Sequence, residues 1–502
     1  MGGGGFLLAC PRVYRVNLSG RLPDWVTAKD VVLKMLSLLS TKGNVGVALE
    51  YGGAGVQTLS VPQRATIANM GAEMGVTSSI FPSDDATRRF LKAQGREQDW
   101  IELAADADAA YDRVIELDLS GIEPLVATPH SPGNVKPLSE LEGLKVNQVC
   151  IGSCTNSSYK DMMTAAAILK GHKVHRHVSL GIAPGSRQNL MMLAQKGALL
   201  DLLEAGGRIL ESACTFCAGS EFSPKSGGVS VRTSNRNFEG RSGTPDAQVY
   251  LASPEVAAVA AVTGTLTDPR RFGMAYPRFK EPRQYLIDDS MFIFPTLGMK
   301  NTTIFRGPNI GEPPSNQPMT RNLRGEIMIK LGSNITTDHI TPAGSRLKYR
   351  SNVPKYSEFV FENVDASFPK RCLENKRQGL HNLIVAAESY GQGSSREHAA
   401  MCPMYLGVKA VVAKSFERIH TANLVNFGVM PLVFKNPADY DRIEKGDRIS
   451  SDNWRAAVEA GKSVLLANER TGESFECTYA LSETQRATVL AGGLLNYIKK
   501  SV

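Results

Sequence analysis

Apolar residues recur along this chain in two alternating rhythms. Short runs such as VYRVNLSG and VGVALEYG are dense in β-branched residues and read as strands. Between and after them, Ala28–Leu39 (AKDVVLKMLSLL) and residues 61–75 carry apolar positions at helical spacing. The same alternation returns further on. VNQVCIGSC reads as a strand, Tyr159–Leu169 as a helix and HVSLGIAP as a strand. Residues 189–203 read as a helix, and GRILESAC as a strand ending on a cysteine pair. Strands alternating with helices predict a parallel α/β sheet, whose ligands sit at the carboxyl ends of the strands. Cys154, Cys214 and Cys217 all fall at such ends.

Two stretches break the rhythm. Residues 121–145 are rich in Pro, Gly and Ser and read as a domain boundary. Residues 295–325 are dense in Pro, Asn and Gly without apolar periodicity and read as a linker. The partition is a Gly-rich start (1–11), an α/β domain (12–135), a second α/β domain with the cysteines (136–294), the linker (295–325) and a C-terminal domain (326–502).

Composition narrows the class. The 502 residues are 42% apolar and 21% charged, with 46 Gly and 26 Pro, which excludes collagen, wholesale disorder and a coiled coil. No apolar run reaches the roughly 18–20 residues of a membrane span, and the start MGGGGFLLACPRVYRVNL has no basic region ahead of its short apolar stretch. These features predict no membrane and a cytoplasmic protein, with the mitochondrial matrix as the alternative in a eukaryote. A net charge of +8 suits a small anionic substrate or weak nucleic-acid affinity. Eight cysteines in a large intracellular chain are not a disulfide framework.

Three clusters carry chemistry. Cys154 lies in IGSCTNSS, and Cys214 and Cys217 enclose Thr-Phe. Three thiolates from two strand-end loops suit an iron–sulfur cluster with one iron free of protein ligands. The CxxC alone also fits a redox pair or half a zinc site, with His172, His175 or His177 as a further ligand. Arg236 and Arg241, in TSNRNFEGR, can grip carboxylates with bidentate forks, or simply decorate a solvated loop. The run GQGSSREHAA places Ser394, Ser395 and Arg396 where a Gly-rich turn meets a helix-like stretch, which suits an oxyanion or an ordinary helix cap. Thr337-Asp338-His339 and Leu347-Lys348-Tyr349-Arg350 add polar groups nearby in sequence.

The order of these motifs is more specific than any one of them. CTNSS, CxxC, SNRNFEGR, TTDHI, LKYR and GxGSSREHAA, with APGSR and KSFERIHTANLVNFGVMPL, resemble the aconitase family. The resemblance runs from about residue 12 to about 435. It implies a multidomain α/β fold of three-layer α/β/α domains, with a C-terminal swivelling β/α domain that brings Ser394 over the cluster. It also implies a [4Fe–4S] cluster on Cys154, Cys214 and Cys217, a free iron acting as Lewis acid, and Ser394 as catalytic base in its alkoxide form. Arg236, Arg241, Arg350 and Arg396 match carboxylate-binding arginines, Arg396 also stabilising the alkoxide. Asn69, Asn235 and Ser395 match polar site residues, and Glu73 and Asp338 acidic ones.

The implied activity is interconversion of citrate and isocitrate through cis-aconitate. Homoaconitate, 3-isopropylmalate or 2-methylcitrate hydro-lyases are siblings, so the substrate is a tri- or dicarboxylate. An RNA-binding regulator is a further class, for which the chain shows no recognisable motif. Two positions depart from the family. Thr215-Phe216 stands where Gly-Pro is usual, and no Asp-Ser-His occurs anywhere. That motif closes an N-terminal domain ahead of residue 12, of which MGGGGF reads as a remnant. The departure implies a missing histidine partner for Glu73, and either a truncated product or a partner subunit supplying that domain.

Overall fold

The computed structural model describes residues 10–41, 43–294, 303, 305–342, 344–392 and 396–501. Ser394 and Ser395 lie outside them. The chain forms two compact units, divided between Pro295 and Thr296.

The first unit holds two sheets. Strands β1 (Arg12–Ser19), β2 (Val47–Gly52), β3 (Ser78–Ile80) and β4 (Arg113–Asp118) form an all-parallel sheet in the order β3-β2-β1-β4. Strands β5 (Leu125–Ala127), β6 (Val135–Pro137), β7 (Gln148–Gly152), β8 (Ser179–Ala183), β9 (Arg208–Ile209), β10 (Val229–Arg232) and β11 (Gln248–Leu251) form a second, ordered β6-β5-β11-β10-β7-β8-β9. Its β7 to β11 run parallel, while β5 and β6 join antiparallel at one edge. The Pro/Gly/Ser-rich stretch 121–145, read from the sequence as a domain boundary, contributes β5 and β6 to this sheet edge. Its prolines mark the short strands and turns that a sheet edge tolerates.

Helix Ala28–Leu39 ties the two sheets together. Thr27 and Asp30 form a capping box, which satisfies backbone donors at its start. The second carboxylate oxygen of Asp30 accepts from Leu125 N on β5 at 2.8 Å. Val31, Val32, Met35 and Leu36 are fully buried in a core that reaches from β1 to Val249 and Leu251 on β11. The helical stretch predicted over 189–203 is interrupted. It divides into Arg187–Gln195 and Ala198–Ala205, because Gly197 adopts φ +73° between them. Likewise the helix predicted over 61–75 is α-helical over Val61–Gly71 and tightens to a 3₁₀ turn over Ala72–Met74, which sets the position of Glu73.

The second unit is a closed barrel. Its strands are β12 (Leu323–Leu331), β13 (His381–Ala386), β14 (Val408–Ala413), β15 (Met430–Phe434), β16 (Arg448–Ser451), β17 (Val464–Asn468) and β18 (Ser474–Thr478), ordered β12-β13-β14-β15-β18-β17-β16. β12 to β15 are parallel neighbours, and the other pairs are antiparallel. Of the parallel strands, β13, β14 and β15 are mostly apolar and buried because both their faces are covered. One face packs on Trp454 and Phe475, and the other on Phe361, Phe368 and Tyr390. Residues 305–322 have no regular secondary structure and pack on this unit, where Asn316 Nδ2 donates to the carbonyls of Phe427 and Gly428. Among the described residues no helix is long and apolar enough to cross a membrane.

Candidate active site

The three cysteines gather beyond the carboxyl ends of β7, β9 and β10. Ser153, the residue after β7, takes φ +72°, an uncommon conformation for a side chain to hold. It turns the chain so that Cys154 faces helix Val61–Gly71. There the Cys154 thiol donates to Asn69 Oδ1 at 3.7 Å, an oxygen that also accepts from Thr155 Oγ1 at 3.1 Å. Thr66, on the same helix, donates to the Thr155 carbonyl at 2.9 Å and fixes the loop.

Cys217 sits in the 3₁₀ turn Phe216–Ala218 and is buried. Arg241 Nη2 donates to its sulfur at 3.7 Å, and its thiol meets Asn235 Oδ1 at 3.9 Å. The turn is anchored from below by Arg232, a fully buried arginine. Its guanidinium donates to the Phe216 carbonyl, to Gln148 Oε1 at 2.9 Å and to the Phe222 carbonyl at 3.2 Å. Phe216 itself is fully buried against Cys150, Ala183 and Phe222. The Thr-Phe pair between the cysteines thus has its own support, in apolar packing rather than in the stiffness of a proline.

These sulfurs affect one another. Burial raises the Cys214 thiol, and the neighbouring Cys154 and Cys217 sulfurs raise it further. Burial also opposes ionisation of Cys154, but hydrogen bonds with Ser153, Asn69, Thr155 and Cys214 outweigh it and hold this thiol below its ordinary value. One thiolate therefore forms readily and suppresses the next, a conflict that a multiply charged cationic group would relieve. Among the described residues no three His, Cys, Asp or Glu side chains close to the spacing of a single metal ion. A zinc ion needs its sulfurs about 2.3 Å from one point. An iron–sulfur cluster takes each thiolate on a different iron and so spans a wider triangle. Arg241 Nε is buried without a hydrogen-bond partner, a donor that a ligand at the sulfurs would satisfy. Three cysteine sulfurs are a donor set of the kind an iron–sulfur cluster takes.

Glu73 stands beside this centre, buried at 7% exposure. In place of the histidine expected from the resemblance, its carboxylate accepts from Arg236 Nε at 2.8 Å and Asn235 Nδ2 at 3.0 Å. Burial raises its pKa, while Arg236, Arg241 and Lys29 pull it back. Asn69, Glu73, Asn235, Arg236 and Arg241 thus lie in one polar group with Cys154 and Cys217.

Lys29 and Arg232 were absent from the sequence expectations. Lys29 is fully buried, and its Nζ donates to the carbonyls of Thr233 at 3.0 Å and Ser234 at 2.6 Å, just ahead of Asn235 and Arg236. Burial lowers its pKa to about 7, against the pull of Cys154 and Asp30. Lys29 stands beside Asp30 in the first turn of its helix, and Arg232 ends the strand Val229–Arg232 ahead of a polar loop, both places where an exposed charge is ordinary, so local sequence did not mark them.

In the second unit Asp338 lies on the short helix Thr337–Ile340 and pairs directly with Arg396. Arg350 is exposed, and its carbonyl faces His398 Nε2 at 2.8 Å. The turn toward the serines passes Gly391, whose φ of +95° and closeness to His420 admit no side chain. An added Cβ there would meet the His420 ring at 2.3 Å. Helix His398–Tyr405 follows.

Comparison with known proteins gives a consistent result. Residues 1–143 and 134–264 match the model of the aconitase family (aconitate hydratase), and residues 328–437 match the aconitase C-terminal domain. Aconitate hydratase, mitochondrial, of Gracilaria gracilis is 33% identical over 98% of this chain and 71% of its own length. Its Saccharomyces cerevisiae counterpart is 33% identical over 99% of this chain and 72% of its length. Homocitrate dehydratase, mitochondrial, of the same yeast is 32% identical over 98% of this chain and 71% of its length.

Proposed function

Because the chain belongs to the aconitase family and is a hydro-lyase of that type, we propose that it interconverts citrate and isocitrate through cis-aconitate. The observation that carries this reading is the convergence of Asn69, Asn235 and Arg241 on Cys154 and Cys217, with Glu73 and Arg236 alongside. In this reading Cys154, Cys214 and Cys217 hold a [4Fe–4S] cluster. When bound, the cluster supplies an iron without a protein ligand, a Lewis acid for the departing hydroxyl.

The other roles belong to side chains of this chain. Arg236 and Arg241 bind substrate carboxylates, which planar forks do better than point charges. Glu73 holds Arg236 by its Nε and leaves the terminal nitrogens for substrate. Arg350, exposed and without an ion-pair partner among the described residues, takes a further carboxylate, as a tricarboxylate requires. Ser394 removes the proton from carbon as an alkoxide, and Ser395 contributes a further polar contact. Arg396 stabilises the charge that develops, and Asp338 fixes the orientation of its guanidinium.

A second reading is homoaconitate hydration, favoured by the nearly equal identity to the yeast homocitrate dehydratase. The test is side-by-side hydration of cis-aconitate and cis-homoaconitate by protein reconstituted with iron and sulfide under argon. Preferred turnover of cis-aconitate is expected. Preferred turnover of the homologue transfers the assignment to the second reading, and a fully loaded protein that turns over neither overturns both. The relatives' names also favour the mitochondrial matrix, in a cell that has one, over the cytoplasm expected from the sequence. Fractionation that recovers the protein with cytosolic markers would refute that.

A further inference from the structure

The second unit contains a cavity of about 520 Å³ at the amino ends of its parallel strands. His381 opens β13 and Lys409 is the second residue of β14, and both line it. Lys376, in the last turn of helix Phe368–Arg377, stands at its mouth. The other wall is the segment around Asn316 and Thr320. Among the described residues no aspartate or glutamate lines the cavity. The turn toward Ser394 leaves the opposite, carboxyl end of β13, and a six-residue strand holds the two ends about 16 Å apart. The cavity is therefore separate from the serine turn.

Each cation makes one hydrogen bond among the described residues and has capacity to spare, Lys376 also lying 4.9 Å from the Tyr405 ring centre. Lys409 Nζ donates to Asn316 Oδ1 at 2.5 Å, and Lys376 Nζ donates to the Tyr405 carbonyl at 2.6 Å. An ammonium has three donors, so two remain on each. His381 lines the cavity, and its buried Nδ1 has no hydrogen-bond partner among the described residues. Burial, and then Lys376, lower Lys409 to about 8. His381 is lowered by burial and then by Lys409. Three basic groups thus oppose one another in one concavity with no carboxylate between them, an arrangement that costs stability unless an anion enters. The volume lies in the range of small-molecule sites. The basic donors among the described lining residues are two ammonium groups and an imidazole, with Ser315, Gln317 and Thr320 as neutral ones. Lysine ammonium groups bind phosphoryl oxygens as compact point charges.

We propose that this cavity binds the phosphoryl group of a small phosphate ester through Lys409, Lys376 and His381. The assignment is independent of the cysteine centre and of the reaction proposed for it. The test is calorimetric titration of the full chain with inorganic phosphate and with glycerol 3-phosphate, at ionic strength held constant with chloride. Both should bind, the ester more tightly. Each of Lys409→Met and Lys376→Met should weaken binding about tenfold, the scale of one charged hydrogen bond. Lys435→Met, which removes an exposed lysine paired with Glu476, should leave it unchanged. Lys376 is exposed, so its variant keeps the test valid should Lys409→Met fail to fold. Phosphate heats no larger than those of chloride overturn the proposal. So does binding that both cavity substitutions leave intact, or that Lys435→Met weakens equally. Inorganic phosphate binding as tightly as the ester overturns the ester assignment.

Discussion

Each cysteine near the centre meets different neighbours, and these set how readily it ionises. Cys154 is surrounded by hydroxyls and an amide that favour its thiolate, whereas burial pushes Cys150, two residues inside β7 from the strand's end, up to about 11 against a smaller pull from Arg232 and Ser230. The two are four residues apart in sequence and opposite in chemistry. Cys154→Ser should therefore lose most of the iron that the parent retains after anaerobic reconstitution and desalting, and Cys150→Ser should keep it. Iron analysis per chain distinguishes them, and equal retention would remove Cys154 from the ligand set. The motif IGSCTNSS, with the other motifs in their order, put Cys154 forward as a candidate ligand. What it could not show was the buried Lys29, whose partners Thr233 and Ser234 lie about two hundred residues away in sequence.

Among the elements, the cysteine turn Phe216–Ala218 depends on what lies beneath it. Phe216 is fully buried, and Arg232 both bonds its carbonyl and stacks over its ring at 5.8 Å. Phe216→Ala leaves a cavity under Cys217 and should cost about 3–5 kcal/mol in chemical denaturation. The same variant should release iron to a chelator faster than the parent. A variant that is destabilised but releases iron at the parental rate would show that the turn is held by Arg232 alone. The helix Ala28–Leu39 was legible to the residue, because its capping box and apolar spacing are local. The break at Gly197 was not, since the apolar spacing continues across it and only the backbone reveals the left-handed turn.

For the molecule as a whole, buried charge makes stability depend on pH. Glu255, at the start of helix Pro254–Thr263, is buried. One oxygen accepts from Tyr276 OH at 3.2 Å and the other has no partner. Burial, then the nearby Asp161, raise it to about 8. The folded state thus keeps a proton that the unfolded chain releases near pH 4.3. This group's contribution falls as pH rises from about 4.5 to about 8, by at most about 1.4 kcal/mol per pH unit. Glu255→Gln removes that dependence, so its stability relative to the parent should grow with pH across the window. Urea midpoints at pH 5 and pH 8 check this, and a constant difference would refute it.

The sequence by itself determined the alternation of strands and helices, the order of the motifs and the chemical types brought to the centre, because each is written in neighbouring residues. Only the tertiary structure decided that residues 121–145 complete a sheet, that Glu73 pairs with Arg236 and Asn235, and that His381 and Lys409 share a cavity. These depend on contacts between distant segments, where burial and geometry, rather than local spacing, set the energy of a charge.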